Sequence, residues 1–246
     1  MKKTSYLTLV AALALSMSCD NKDLPDFLKS EGEAATDTVT LKPYQNLVIK
    51  NNAHIELVKD TRDYAIVKYG ENLIDNIDID LDEATSTLSI ADNSKSGIVR
   101  NNKSIPKIEC HFSLLCNIFA RACVKVSSND TVDIQRYVFE EYIGELDVKS
   151  NAPTLALEIT NGSGEYTLSG RADTIDIDAR YTSIVDASRL TAKVARVESH
   201  TTGDVTVCAT DSVYATIKHT GDVYYKGGAA AVVVENKGKG NIKVIE

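Results

Sequence analysis

From Val39 onward, apolar and polar residues alternate with a period of two, and no sustained helical period appears. Leu47 and Ile49 alternate in this way, as do Ile55 and Leu57, then Ile77, Ile79 and Leu81, then Leu88 and Ile90. The stretch Asn76-Ile77-Asp78-Ile79-Asp80-Leu81 puts its apolar side chains on one face and its acids on the other, as a half-buried strand requires. Turn-forming runs, Asp82-Glu83-Ala84-Thr85 and Asp92-Asn93-Ser94, separate such strands. Helix is expected only in two short pieces, around Asn72–Asp75 and Arg136–Glu141. The pattern predicts an all-β chain.

Its C-terminal half also repeats. Gly144-Glu145-Leu146, Gly164-Glu165-Tyr166, Ser183-Ile184-Val185, Gly203-Asp204-Val205, Gly221-Asp222-Val223 and Gly240-Asn241-Ile242 align at a nearly constant spacing. Each unit continues into a second alternating stretch, seen at Ile175 and Ile177, Ala195 and Val197, Ala215 and Ile217, and Val232 and Val234. Two short strands and a Gly-led turn per unit of about 19 residues predict a stacked β-coil, a β-solenoid. Equivalent positions would then lie one strand spacing apart, about 4.8 Å. Tyr166, Val185, Val205, Val223 and Ile242 form one inward ladder, and Leu168, Ala187, Val207, Tyr225 and Val244 the next. The recurring Gly is expected to supply a positive φ at a tight corner. The last strand, Asn241 to Ile245, is expected to leave an open edge, and the small residues Gly227 to Ala231 before it favour a homo-oligomer.

The N-terminus has a different character. Lys2 and Lys3 precede an apolar stretch, Leu7 to Leu15, and small residues run up to Cys19. This is the layout of an export signal, with an apolar run too short to span a bilayer. Leu15-Ser16-Met17-Ser18-Cys19 resembles the lipobox of bacterial lipoproteins. That resemblance implies cleavage after residue 18, acylation of Cys19 and anchoring to the outer membrane. The polar, acidic segment that follows reads as a flexible tether. The predicted organisation is a signal peptide (1–18), a lipid-anchored tether (19–38), a smaller N-terminal β domain (39–129) and a β-solenoid (130–246).

Composition narrows the function. The chain has 246 residues, 27 basic against 35 acidic, for a net charge of −8, so no basic surplus exists to neutralise nucleic-acid phosphates. Nucleic acid is therefore not expected as a partner.

The segments Gly162-Ser163-Gly164-Glu165-Tyr166-Thr167-Leu168-Ser169-Gly170, Thr202-Gly203-Asp204-Val205-Thr206-Val207 and Thr220-Gly221-Asp222-Val223-Tyr224-Tyr225-Lys226-Gly227 resemble the repeats of the head GIN domain family. The run Tyr69-Gly70-Glu71-Asn72-Leu73 through Leu88-Ser89-Ile90 is similar to that family's first segment, so the resemblance spans about Val39 to Glu246. It departs at Ala120-Arg121-Ala122-Cys123 and at Tyr181-Thr182-Ser183, which stand where Gly-rich corners are usual. The resemblance implies a secreted or lipid-anchored adhesin with no catalytic set and no cofactor.

Candidate chemistry is sparse. Cys110, Cys116, Cys123 and Cys208 would be either free thiols in strands or partners in a disulfide among the first three. His200 and His219, one repeat apart, could face each other on neighbouring coils with Asp204 and Asp222, but two exposed polar rings are the expected reading and no metal is expected. Asp173, Asp176, Asp178, Asp186, Asp204 and Asp222 alternate with apolar residues, as on a solvated face. A polysaccharide-active enzyme, the remote alternative, would need loops walling a cleft. The expected function is a non-catalytic envelope lipoprotein presenting a solenoid face to a glycan or protein. Its outward ladder is Glu165, Asp204, Asp222 and Tyr224, and Tyr181 and Tyr214 offer further ring faces. The alternative is a structural protein that self-associates.

Overall fold

A computed structural model describes residues 31–94, 105–140 and 143–246, and the predicted signal and Cys19 lie outside them. In chain order the strands are β1 (Ala34–Thr40), β2 (Asn46–Ile49), β3 (Ala53–Lys59), β4 (Tyr64–Gly70), β5 (Ile77–Asp82), β6 (Thr87–Asp92), β7 (Lys107–Phe112), β8 (Asn117–Ala120) and β9 (Val124–Val132). They continue with β10 (Arg136–Phe139), β11 (Ile143–Ser150), β12 (Thr154–Ile159), β13 (Ser163–Thr201), β14 (Val205–Ile217), β15 (Val223–Lys226), β16 (Ala231–Asn236) and β17 (Ile242–Val244). All belong to one sheet that winds into a coil. The chain is an all-β solenoid of stacked parallel strands, as its repeats require.

Two faces make up the coil. On the front face, β6, β2, β8, β10 and β12 stack in parallel, followed by residues 174–179 of β13. Residues 194–199 of β13, 212–217 of β14, and β16 complete that face. On the back face, β7, β3, β9, β11 and the start of β13 stack in the same way. Val185 of β13, Val205 of β14, Val223 of β15 and Ile242 of β17 continue the back-face register. The repeat alignment read from the chain is therefore the register of the sheet. β13 runs through its corners for 39 residues, and its buried parity shifts at those corners, between Leu168 and Ile175, Ala187 and Leu190, and Ala192 and Ala195.

The stacking order departs from chain order at the N-terminal end. β2 and β3 are laid down first, yet they lie between the later pairs β6/β7 and β8/β9. Between these visits the chain forms β4, antiparallel to β7, and β5, antiparallel to β6. β1 then pairs antiparallel with β4. Antiparallel strands thus cover the first parallel coil, where a further parallel coil would otherwise be needed to bury its apolar edge.

One core runs the length of the stack, from Tyr44, Leu47 and Ile49 to Val213, Ile217 and Val223. Tyr166, Val185, Val205 and Val223 are buried as the first ladder requires, and so are Leu168, Ala187 and Val207. Val244 is 70% exposed, because no strand lies beyond β17 among the described residues. β9 crosses position 129, so strands before and after it share a single sheet. β1 begins at Ala34, inside the segment expected as a tether, and its pairing with β4 satisfies backbone groups a free tether would leave to water.

Two expectations are corrected. Arg136–Phe139 is a strand, not a helix, because Tyr137 and Phe139 fall in register with Leu157 and Ile159 and are buried with them. The other expected helical piece is a single 3-10 turn, Ile74–Asn76. The corner glycines mostly do not supply positive φ: Gly203, Gly221 and Gly240 have none, whereas Gly164 and Gly170 do. They are selected by close approach instead. A Cβ on Gly221 would overlap the carbonyl oxygen of Gly203, and one on Gly240 would overlap that of Gly221. Stacked backbones leave no room there.

Gly221→Ala is expected to destabilise the fold by about 2–3 kcal/mol, since stacked backbone must move apart. Gly228→Ala, where nothing lies within 4 Å and only φ of +79° resists a side chain, should cost about 1 kcal/mol. Urea denaturation of both variants checks the order.

Candidate binding faces

The predicted outward ladder lies along the back face, adjoining the buried ladder of Tyr166, Val205 and Val223. Glu165 is exposed in register with Glu145, which pairs with Lys125 two coils before Glu165. Asp204 and Asp222 are tied to the stack itself. The backbone N–H of Asp222 donates to Asp204 Oδ1 (2.9 Å), and that of Asn241 donates to Asp222 Oδ1 (2.7 Å). Lys243 Nζ pairs with Asp222 Oδ2 and sits 5.4 Å from the centre of the Tyr224 ring. The Lys243 hydrogen bond, with the Asn241 amide second, holds the Asp222 carboxyl below its ordinary range. These acids therefore bridge coils as well as face solvent.

Among the described residues no group of three or more His, Cys, Asp or Glu could hold a metal ion. His200 and His219 do not converge. His200 Nε2 lies 2.9 Å from Glu198 Oε1 and 3.3 Å from Lys218 Nζ, while His219 Nδ1 is 3.1 Å from Thr220 Oγ1. All four described cysteines are free. Only Cys110 is buried; Cys116, Cys123 and Cys208 are half-buried.

The front face carries residues whose role the linear pattern did not single out. Its outward positions form two rows across four coils: Ala156, Asp176, Arg196 and Tyr214, then Glu158, Asp178, Glu198 and Thr216. Ion pairs lace them together. Arg136 grips Glu158 through Nε and Nη2 (2.9 and 2.8 Å), Arg180 grips Asp178 (2.7 Å), and Arg196 reaches Asp176 (3.3 Å). Lys218 pairs with Glu198, whose carboxyl is held down at about 2 by Lys218 first and His200 second. The available signal was an offset of one coil, which separates Asp176 from Arg196 and Glu198 from Lys218 in the chain. Glu158, Asp176, Asp178, Arg196 and Glu198 line an open groove of about 440 Å³ together with the exposed Tyr214 ring.

A corner between the faces holds an unusual backbone. Tyr181 has φ of +63° and is 56% exposed. Its carbonyl accepts the Thr202 N–H at 2.7 Å, while Thr201 Oγ1 donates to the Ser183 carbonyl at 2.8 Å and Ser183 Oγ to the Arg180 carbonyl at 2.9 Å. These bonds offset a left-handed conformation that costs an L-residue about 1–2 kcal/mol. The corner lacking its glycine is thus held by hydroxyls from its own and the next coil.

Broad, ion-paired faces on stacked coils, which no loop encloses among the described residues, define a β-solenoid scaffold. The chain belongs to the family described as "Putative auto-transporter adhesin, head GIN domain", whose model matches residues 43–229. Solved structures share the fold. A protein from Bacteroides fragilis described as a "putative adhesin" superposes with a TM-score of 0.71 at 22% identity, covering 87% of this chain and 97% of that one. A Parabacteroides distasonis "putative adhesin" gives 0.61 at 18% identity, covering 87% and 98%. A "putative lipid binding protein" from the same species gives 0.51 at 18%, covering 86% and 97%. No match was found among curated proteins.

Two outcomes check this surface. Glu198 has a folded value of about 2 against an ordinary 4.5, so its stabilising contribution is present above the ordinary value and lost as pH falls from there toward 2. Glu198→Gln should lower stability at neutral pH by about 0.5 kcal/mol, given its half-exposed setting, and flatten the acid limb of a denaturation profile across that window. Burial pushes the Cys110 thiol up to about 12. In native protein at pH 8, maleimide labelling read by peptide mapping should therefore modify Cys116, Cys123 and Cys208 well before Cys110.

Proposed function

We propose that the protein is a non-catalytic binding module of the cell envelope, exported, acylated at Cys19 and held at the outer membrane, with its solenoid displayed to a glycan or protein partner. The observation that carries this reading is the construction of both faces. Charged side chains are paired, many of them from coil to coil, and among the described residues they line broad surfaces in place of a walled cleft with convergent acid, base or nucleophile. Extended repeated surfaces of this kind suit recognition of extended partners. Membership of an adhesin family agrees with a surface location and argues against catalysis. Asp204 and Asp222 contribute to the back face chiefly as fixed acceptors, and Glu165 and Tyr224 as adjoining contact groups.

A second reading has its own observation. Val232, Val233 and Val234 of β16 are 38%, 55% and 39% exposed, and the outer edge of β16 has no strand partner among the described residues. An apolar strand edge of this kind favours pairing with a second copy. Concentration-dependent sedimentation separates the readings, since only self-association requires an oligomer.

Anchoring and display are tested together. Wild-type protein should fractionate with membranes and be lost when intact cells are treated with protease, while a periplasmic control survives. Cys19→Ser should move it to the soluble fraction. Survival of the wild-type protein until the outer membrane is opened would reject display at the surface.

A further inference from the structure

The front-face groove is a ligand-sized feature of the described residues, and its charge balance selects what can fill it. Four carboxylates face it or border it, Glu158, Asp176, Asp178 and Glu198, and each is matched by its own base, Arg136, Arg196, Arg180 and Lys218. Formal charge over these eight groups is zero. A polyanion or a basic peptide would have to break pairs that already exist, whereas a neutral polyol need not. A carboxylate gripped by a guanidinium keeps lone pairs free to accept hydroxyl protons, and the guanidinium keeps N–H groups that donate to hydroxyl oxygens. Because each partner is already oriented by the other, little ordering remains for a ligand to impose.

The ring completes the chemistry. Tyr214 is 43% exposed, in the same outward row as Arg196 and in register with it. An exposed aromatic face beside fixed acceptors and donors suits the apolar C–H face and the hydroxyl rim of a pyranose. Spacing agrees too. Polar groups recur along the stack about every 4.8 Å, close to the length of one pyranose residue in an extended chain.

We propose that the groove running from Glu158 to Tyr214 is a binding site for a neutral, linear glycan lying along the solenoid axis, with Tyr214 stacking on one sugar ring and the Arg196–Asp176 pair bonding its hydroxyls. The proposal rests on the binding-module reading and adds the face, the ligand class and the contact residues.

The test uses the full chain on a printed array of neutral and acidic glycans, followed by affinity electrophoresis through gels containing galactomannan, xyloglucan, dextran or yeast mannan. Binding to at least one neutral glycan is expected. Tyr214→Ala should weaken it about tenfold, Arg196→Ala should weaken it as well, and Tyr214→Phe, which keeps the ring, should retain it. Lys149→Ala on the back face should change nothing, and circular dichroism of each variant checks that the fold persists. Binding that Tyr214→Ala leaves intact would place the ligand elsewhere and overturn the proposal while sparing the module. Binding only to acidic glycans, or to none, would also overturn it. Protease shaving of intact cells reads display independently, so the proposal and the broader function can fail separately.

Discussion

Parallel, in-register stacking places every residue about 4.8 Å from its counterpart in the next coil, and most other features of the protein answer to that spacing. Inward, it turns one Val or Ile per coil into a continuous ladder, so the core grows by repetition. Outward, it would set like charges side by side, which is unfavourable on a strand surface. At several positions the sign changes from coil to coil, as where Lys125 meets Glu145, Asp173 meets Lys193 and Asp176 meets Arg196, and in the all-acid row of Glu158, Asp178 and Glu198 each carboxylate is paired with its own base. At another acid pair, Asp204 and Asp222, each carboxylate accepts a backbone N–H from the next coil.

The same closeness governs corners and ends. Corners bring backbone against backbone, and glycine follows wherever a Cβ would meet the carbonyl oxygen of the coil below. Ser183 shows the other solution: hydroxyl bonds hold the corner, and Tyr181 bears a positive φ. Ends are harder, because a stacked coil cannot bury its own apolar edge. At the N-terminal end the chain reverses direction, laying β4 and β5 antiparallel against the first coil and β1 antiparallel against β4. At β16 and β17 no such cover exists among the described residues, and the valines there are correspondingly open to solvent.

For binding, this architecture gives long faces and little depth. Most charged groups are held by a neighbour one coil away and Asp178 by Arg180 in its own strand, so a surface is arranged in advance. Such rigidity lowers the cost of ordering on association. The family assignment and the shared fold with proteins of only 15–22% identity fit a scaffold in which the buried periodicity is constrained and the exposed rows are free to vary.

The alternation from Val39 and the near-constant offset of the Gly-led units were enough to establish strands, coil length and the register of the back-face ladder, because a solenoid writes its tertiary contacts into its period. The same period made Asp176–Arg196 and Glu198–Lys218 legible as one-coil offsets. Other features were not local. The insertion of β2 and β3 between β6/β7 and β8/β9 carries no periodic signal, since those strands pair across several repeat lengths of chain, as Asn46 does with both Thr87 and Asn117. Arg136–Phe139 looked like a short helix because its apolar residues cluster, and only pairing with β12 exposed the strand. The glycines identified their corners correctly but for another reason, since crowding by a neighbouring coil has no trace in a residue's own φ preference. Periodic, nearest-neighbour contacts could be read along the chain; the order of the first coils and the closing of the N-terminal end arise only when distant segments come within one strand spacing of each other.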